Sequence, residues 1–404
     1  VKTTTTQAVA AQESEPDPDF SLVLGGPLYQ LWLRSRLARP PLDFLHRRIV
    51  AFVVVCWLPL PVLALIGGEF LPNGSGRVPL LYDIEAHVRF LIVLPLLIWA
   101  ELPVHLRIRG VLQQFLARGI IRSEDWPRFE ALVERAKGLR NSIPLEIGLF
   151  VVVYTVGHWL WVGEIALDRT SWYAQPDRDS LAFTLPGYWY AWISIPLFQF
   201  ISARWLVRLF IWYRLLWQIS RLDLCLIATH PDRAAGLGFV GNSAYTFGPI
   251  LFAQGALLSG WIADRVVRTK LTVLDFKIEI VLLIGMLLVV ILAPLAVFLP
   301  NLAEAKRQGR RKYGLLAAQY TRAFERKWIM GETDADEPLL GTADIQSLAD
   351  MANSYQQVQG TRLLPFGMAV VSNLVVMTAL PLLPLVFSVL SLDSIIVRLF
   401  KILL

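Results

Sequence analysis

Residues 277–299 read KIEIVLLIGMLLVVILAPLAVFL, a run with no charge after Glu279. A helix rises about 1.5 Å per residue, so about 20 such residues bridge the hydrocarbon of a bilayer. Six more stretches meet the same test: Ile49–Gly68, Ile84–Val104, Pro144–Leu167, Leu185–Val207, Tyr245–Ala263 and Phe366–Leu390. Lipid offers no partner to backbone N–H and C=O groups, so each run must close its hydrogen bonds within itself as a helix. A barrel would instead display short alternating segments. The expected fold is an all-α polytopic integral membrane protein of about seven transmembrane helices with amphipathic cytoplasmic helices.

Composition agrees. Hydrophobic residues are 55% of the chain and charged residues 17%, and the mean hydropathy of +0.52 marks a chain solvated by lipid. The net charge of +6 is unevenly placed. About 28 Lys and Arg fall on the side shared by the N-terminus and about 7 on the other, the asymmetry of a chain with a cytoplasmic N-terminus in a bacterial inner membrane. This distribution argues for anionic lipid headgroups on the cytoplasmic face as partners, and against nucleic acid.

The chain divides by composition. Residues 1–20 are a polar tail expected to be disordered, and 21–48 an interfacial amphipathic segment around Leu28, Leu31, Trp32 and Leu37. A first hairpin of spans (49–104) leads into a cytoplasmic helical segment (105–143), then a second hairpin (144–213) and a cytoplasmic elbow (214–244). A third hairpin (245–300) is followed by a cytoplasmic module (301–365), then by the seventh span and an amphipathic tail (366–404). The tail is expected on the far side, with a re-entrant return at Pro381 and Pro384 as the alternative. Trp172, Tyr173, Tyr188, Trp189, Tyr190 and Trp192 read as an interfacial aromatic belt. Glu146 and Glu164, which bracket the third span, read as interfacial. Cys56 and Cys225 are not expected to form a disulfide.

Ionisable groups in lipid cost about 2.5–3.5 kcal/mol at a helix centre, so each needs a reason. Glu85 and Arg89, one helical turn apart, read as a membrane ion pair. Glu101 and His105 repeat that spacing at the inner end of the same span, where a carboxylate beside an imidazole can relay a proton or receive a cation. His158 lies mid-span and needs a partner from another helix, either a carbonyl or a pore. In the fifth span, Gly248, Gly255 and Gly260 accompany Gln254, a pattern that suits close helix packing or a polar passage. Glu101, His105, His158 and Gln254 are thus the transport-path candidates.

The most motif-like string runs from Thr229 to Gly241 and holds His230, Asp232, Arg233, Gly236, Gly238 and Gly241. Its GxGxxG joins two membrane helices and lies in no βαβ unit, so it does not indicate a dinucleotide. It reads as a glycine-hinged elbow in which Asp232 caps the next turn, with an anion site on free N–H groups, His230 and Arg233 as an alternative. No HxxxH, CxxC, GxSxG or Walker pattern occurs, so no catalytic residue, metal or cofactor is expected. The function expected is a channel or secondary transporter for ions or a small solute. The alternative is a scaffold or accessory subunit, its protein partner being another copy of itself or a different membrane protein.

Overall fold

The computed structural model describes residues 20–36, 39, 42–72, 77–166, 171–177, 180–269, 271–331 and 343–385. The polar tail and the C-terminal tract with its two alternative sides lie outside these residues. Seven helices are long and apolar enough to cross a membrane, and the chain is an all-α multi-pass membrane protein. In chain order the helices are α1 (Pro27–Arg34), α2 (Leu45–Gly67), α3 (Ile84–Ala117), α4 (Trp126–Arg140), α5 (Ile143–Gly163), α6 (Leu185–Ile219), α7 (Gly238–Arg268), α8 (Val273–Ile329), α9 (Ala343–Gly360) and α10 (Met368–Leu385). All but α1, α4 and α9 are candidate spans.

Burial ranks them. In the apolar windows of α3 and α6, 50% and 56% of residues are buried, against 11% in α5 and α8. The first two therefore form the centre and the second two stand at the periphery, their apolar side chains left for lipid. Here α7 lies against α3 and α10, with Gly260 facing Val88 and Gly255 facing the Thr378 carbonyl.

Prolines break the hydrogen-bond ladder inside several spans, and neighbouring helices repair it. Pro59 has no N–H to give the Val55 carbonyl, which instead accepts the Trp189 indole N–H at 3.0 Å; beside it the Cys56 carbonyl accepts the Ser194 hydroxyl at 2.7 Å. Pro196 frees the Trp192 carbonyl for the Tyr154 hydroxyl at 3.2 Å. Pro294 frees that of Val290 for the Tyr213 hydroxyl at 2.6 Å. In hydrocarbon each unmet carbonyl would cost several kcal/mol, so these bonds both satisfy the backbone and fix which helices are neighbours.

Several elements differ from the sequence reading. The first helix of the 105–143 segment is the continuation of α3, which runs unbroken in direction to Ala117. The 301–365 module likewise begins inside α8, and α9 folds back along it as a helical hairpin. That hairpin is held by Asp344, whose carboxylate accepts from Lys327 at 2.9 Å and the Trp328 indole at 3.0 Å; these bonds hold its carboxyl below the usual range. In α1, Trp32 is buried, so the helix is part of the core and not simply laid on an interface. The aromatic belt is also corrected. Trp172, Tyr173 and Tyr190 are buried and packed ring against ring at 4.9–5.4 Å, over a hairpin of β1 (Ala174–Asp177) and β2 (Ser180–Phe183), while Tyr188 and Trp192 are exposed. Interfacial and buried aromatics have the same composition; what separates them is contact with Asp83, Arg89, Phe90 and Trp161 of other segments.

Candidate functional site

Three groups of polar residues are built into the helices. The first sits where α2, α3, α5 and α6 meet near the basic face. Glu101 is buried between two arginines: Arg48 Nη1 lies 2.5 Å from one carboxylate oxygen and Arg208 Nη2 2.8 Å from the other. Beside them Arg204 Nε stands 3.3 Å from Glu146. Trp32 lies among these charges, its ring 4.7 Å from the Arg48 guanidinium and 5.5 Å from that of Arg204. Three arginines against two glutamates leave one net positive charge, and the indole face offers it a second, softer partner. The placement corrects two expectations. Glu146 is paired and largely buried, not interfacial. Glu101 is committed to arginines, whereas His105 Nδ1 meets the Ser21 hydroxyl at 2.8 Å. Arg48 and Arg208 lie 53 and 107 residues from Glu101, so helical spacing could not have found them.

The second group closes the opposite face. Glu85 and Arg89 form an ion pair, and Arg89 donates to the Tyr190 hydroxyl at 2.7 Å. Asp83 accepts the Trp172 indole N–H at 2.7 Å and the Ala86 backbone N–H at 2.9 Å, and Asp264 pairs with Arg268 at the end of α7. With Trp161, Tyr173 and Ser171 these groups leave a space of only about 10 Å³.

The third is a cavity of about 790 Å³ at the basic face. One wall is the face of α3 carrying Arg107, Gly110, Val111, Gln114 and Arg118; the others are the start of α7 with the turn preceding it and the segment leading into α10. Arg107, Arg118, Asn242 and Arg362 are exposed, so the cavity opens through them, while Ser243 and Thr246 are buried in its lining. Its volume falls within the range of about 300–1,000 Å³ typical of small-molecule sites.

The elbow forms part of that lining. Asp232 Oδ1 accepts the backbone N–H groups of Ala234 at 2.8 Å and Gly236 at 3.2 Å, and Oδ2 that of Gly238 at 2.8 Å. His230 Nδ1 stands 2.9 Å from the same carboxylate. The path needs left-handed backbone at Arg233, Ala235 and Gly236, with Gly236 at φ 97°. Gly241 has no room for a side chain, since a Cβ there would meet the Pro365 carbonyl at 2.2 Å. The N–H groups that suggested an anion site are thus occupied by the protein's own carboxylate. Burial opposes ionisation of Asp232, but the backbone donors and His230 outweigh it and hold the carboxyl below its usual value.

No family model, curated protein or solved structure matches the chain. Function must therefore be read from this geometry.

Of the four path candidates, none lines the cavity. Glu101 and His105 lie on one helix but have the separate partners given above. His158 is half-buried with its ring 4.3 Å from that of Trp192, and its Nδ1 has no hydrogen-bond partner among the described residues. Gln254 is half-buried midway along α7, on the helix whose glycines pack against α3 and α10. The arginines of the cavity were missed because each, taken singly, is one of many Lys and Arg residues on that face. The available signal was Arg107 and Arg118 eleven residues apart, which brings both to one helix face.

The elbow yields a direct prediction. The folded Asp232 carboxyl titrates below its unfolded value of about 3.9. Its stabilisation is therefore complete above that value and is lost as pH falls through the lower, folded one. Asp232→Asn should lower stability by about 1–2 kcal/mol at pH 7, as loss of a capping carboxylate does. As pH falls below the unfolded value the gap between variant and wild type should narrow, and thermal melts at pH 7 and in acid check it. A gap that widens on acidification would refute this account.

Proposed function

We propose that the chain is a secondary transporter in a conformation open to its basic face. The observation that carries this reading is the contrast between the two ends of α7. Residues of its first turns line a cavity of about 790 Å³, whereas its last turns, through Asp264 and Arg268, belong to the sealed ion-pair and aromatic group. A chain that alternates access needs one such open and one such closed end. On this reading the basic face is the cytoplasmic one, as its Lys and Arg excess predicts, and the membrane is the bacterial inner membrane. The basic mouth selects for an anionic solute.

A second reading, a scaffold for another membrane protein, is favoured by the α8–α9 hairpin. Leu315, Ile329 and Met330 are 63–73% exposed there, some well beyond the apolar stretch of α8.

Flux separates the two. Purified protein in liposomes should pass at least one member of a panel of anionic, neutral and cationic solutes faster than empty vesicles do. Asp264→Asn, which weakens the far closure, should raise leak of that solute severalfold. Flux equal to that of empty vesicles for the whole panel would overturn the transporter reading and favour the scaffold, which should then co-purify with a stoichiometric partner.

A further inference from the structure

We infer that the cavity at the basic face binds a phosphate-bearing anion. Arg107 and Arg118 lie on one face of α3, about 16 Å apart along its axis, and Arg362 approaches from the segment before α10. Among the described residues no carboxylate pairs with Arg107 or Arg118; Arg118 rests against the Phe239 ring at 5.0 Å. Arg362 is positioned by the elbow, its backbone N–H donating to the Arg233 carbonyl at 2.7 Å and its Nη2 to that of Asp232 at 2.8 Å. That leaves the rest of the guanidinium fork for a ligand. Asp232, the one acidic residue in the lining, has its carboxylate turned to three backbone N–H groups, so it is not a competing partner for these arginines.

Arginine forks suit phosphate oxygens, which accept paired hydrogen bonds at a geometry the guanidinium already holds. Hydroxyl and amide groups complete the lining. The Thr246 hydroxyl is buried and has no hydrogen-bond partner among the described residues, and the Asn242 amide adjoins it, while the Ser243 hydroxyl donates to the Val240 carbonyl at 2.6 Å. Val111, Phe366 and Val370 supply an apolar wall, so the ligand bears a less polar part beside its phosphate. A lipid headgroup and a soluble phosphate ester share this chemistry. The site borders Leu106 and Met368, which are 61% and 80% exposed at the outer surface of α3 and α10, so either source has access.

This inference rests on the transporter reading for treating the anion as cargo, but the binding itself is measured without flux. Protein in phosphatidylcholine nanodiscs is titrated with glycerol 3-phosphate. In a second arm, protein is incubated with vesicles of phosphatidylcholine and phosphatidic acid and repurified, and its bound phosphatidic acid is counted by native mass spectrometry. Saturable binding is expected in one arm, and that arm names the source. The Arg107→Gln, Arg118→Gln double variant should weaken it about tenfold with an unchanged melting temperature, since both side chains are exposed. Arg310→Gln with Arg311→Gln, exposed on α8 outside the cavity, should change it less than twofold. No saturable binding in either arm, or equal loss in the α8 control, overturns the site. Binding without flux would leave the site standing and sink the transporter reading, and flux of another solute without phosphate binding would do the reverse.

Discussion

Glu101→Leu will cost about 3–5 kcal/mol and lower the yield of folded protein, because it strands Arg48 and Arg208 in the interior without a counter-charge. A domain is stable by only about 5–15 kcal/mol, so such a loss is a large share of the total. Desolvation decides the sign. The two guanidiniums have already been taken out of water, and the carboxylate between them is what offsets that cost. The same argument predicts rescue. Arg48→Met, Glu101→Leu and Arg208→Met together remove the charges as a set, and the triple variant should melt within about 1–2 kcal/mol of wild type, since apolar residues of similar volume replace buried ion pairs at little cost. Yield of monodisperse protein and thermal melts in detergent check both. A single variant as stable as wild type would show the group to be hydrated, and the account would fail. A loss of transport in a Glu101 variant must therefore be read beside its folded yield.

Gly255→Leu is expected to release α10 from α7. A Cβ at Gly255 would lie 2.0 Å from the Thr378 carbonyl, and backbone cannot yield as the tip of a flexible side chain can. Overpacking a tight contact typically costs about 1–3 kcal/mol. Here it acts on helices that associate without help from the hydrophobic effect, through close packing alone. Gly285→Leu is the matched control. Nothing stands within 4 Å of a Cβ there, on a part of α8 whose neighbours Val281 and Leu282 are exposed to lipid, and it should change the melting temperature little. Equal effects of the two substitutions would deny the small-residue contact its role.

The membrane spans were legible because lipid imposes a length and an apolarity that few other environments require, and KIEIVLLIGMLLVVILAPLAVFL meets both. The extensions of α3, α6 and α8 beyond the apolar runs were harder to place, except in α6, where Arg204, Arg208, Arg214 and Arg221 continue the apolar spacing. Part of the candidate site was visible locally. Glu85 and Arg89 are neighbours through helical geometry, and Asp232 caps the turn that follows it. The rest depends on which helices touch. Nothing in the spacing of Glu101 and His105 told that Arg48 and Arg208 would reach the carboxylate while Ser21 took the imidazole. Nor did six aromatic residues between Trp172 and Trp192 reveal which would be buried.

The continuity of α8 has a mechanical consequence. Its 57 residues have a contour of about 85 Å, of which about 30 Å suffices to cross the hydrocarbon. Gly309 lets this shaft lie against Ala228 at the edge of the elbow and against Val358 of α9, with no space for a Cβ between them. Bracing of this kind couples angle to reach. A pivot of about 5° at the bilayer would carry the far end, about 55 Å beyond the hydrocarbon, through about 5 Å, so that a small tilt of the membrane bundle would be read at the hairpin as a displacement of several ångströms.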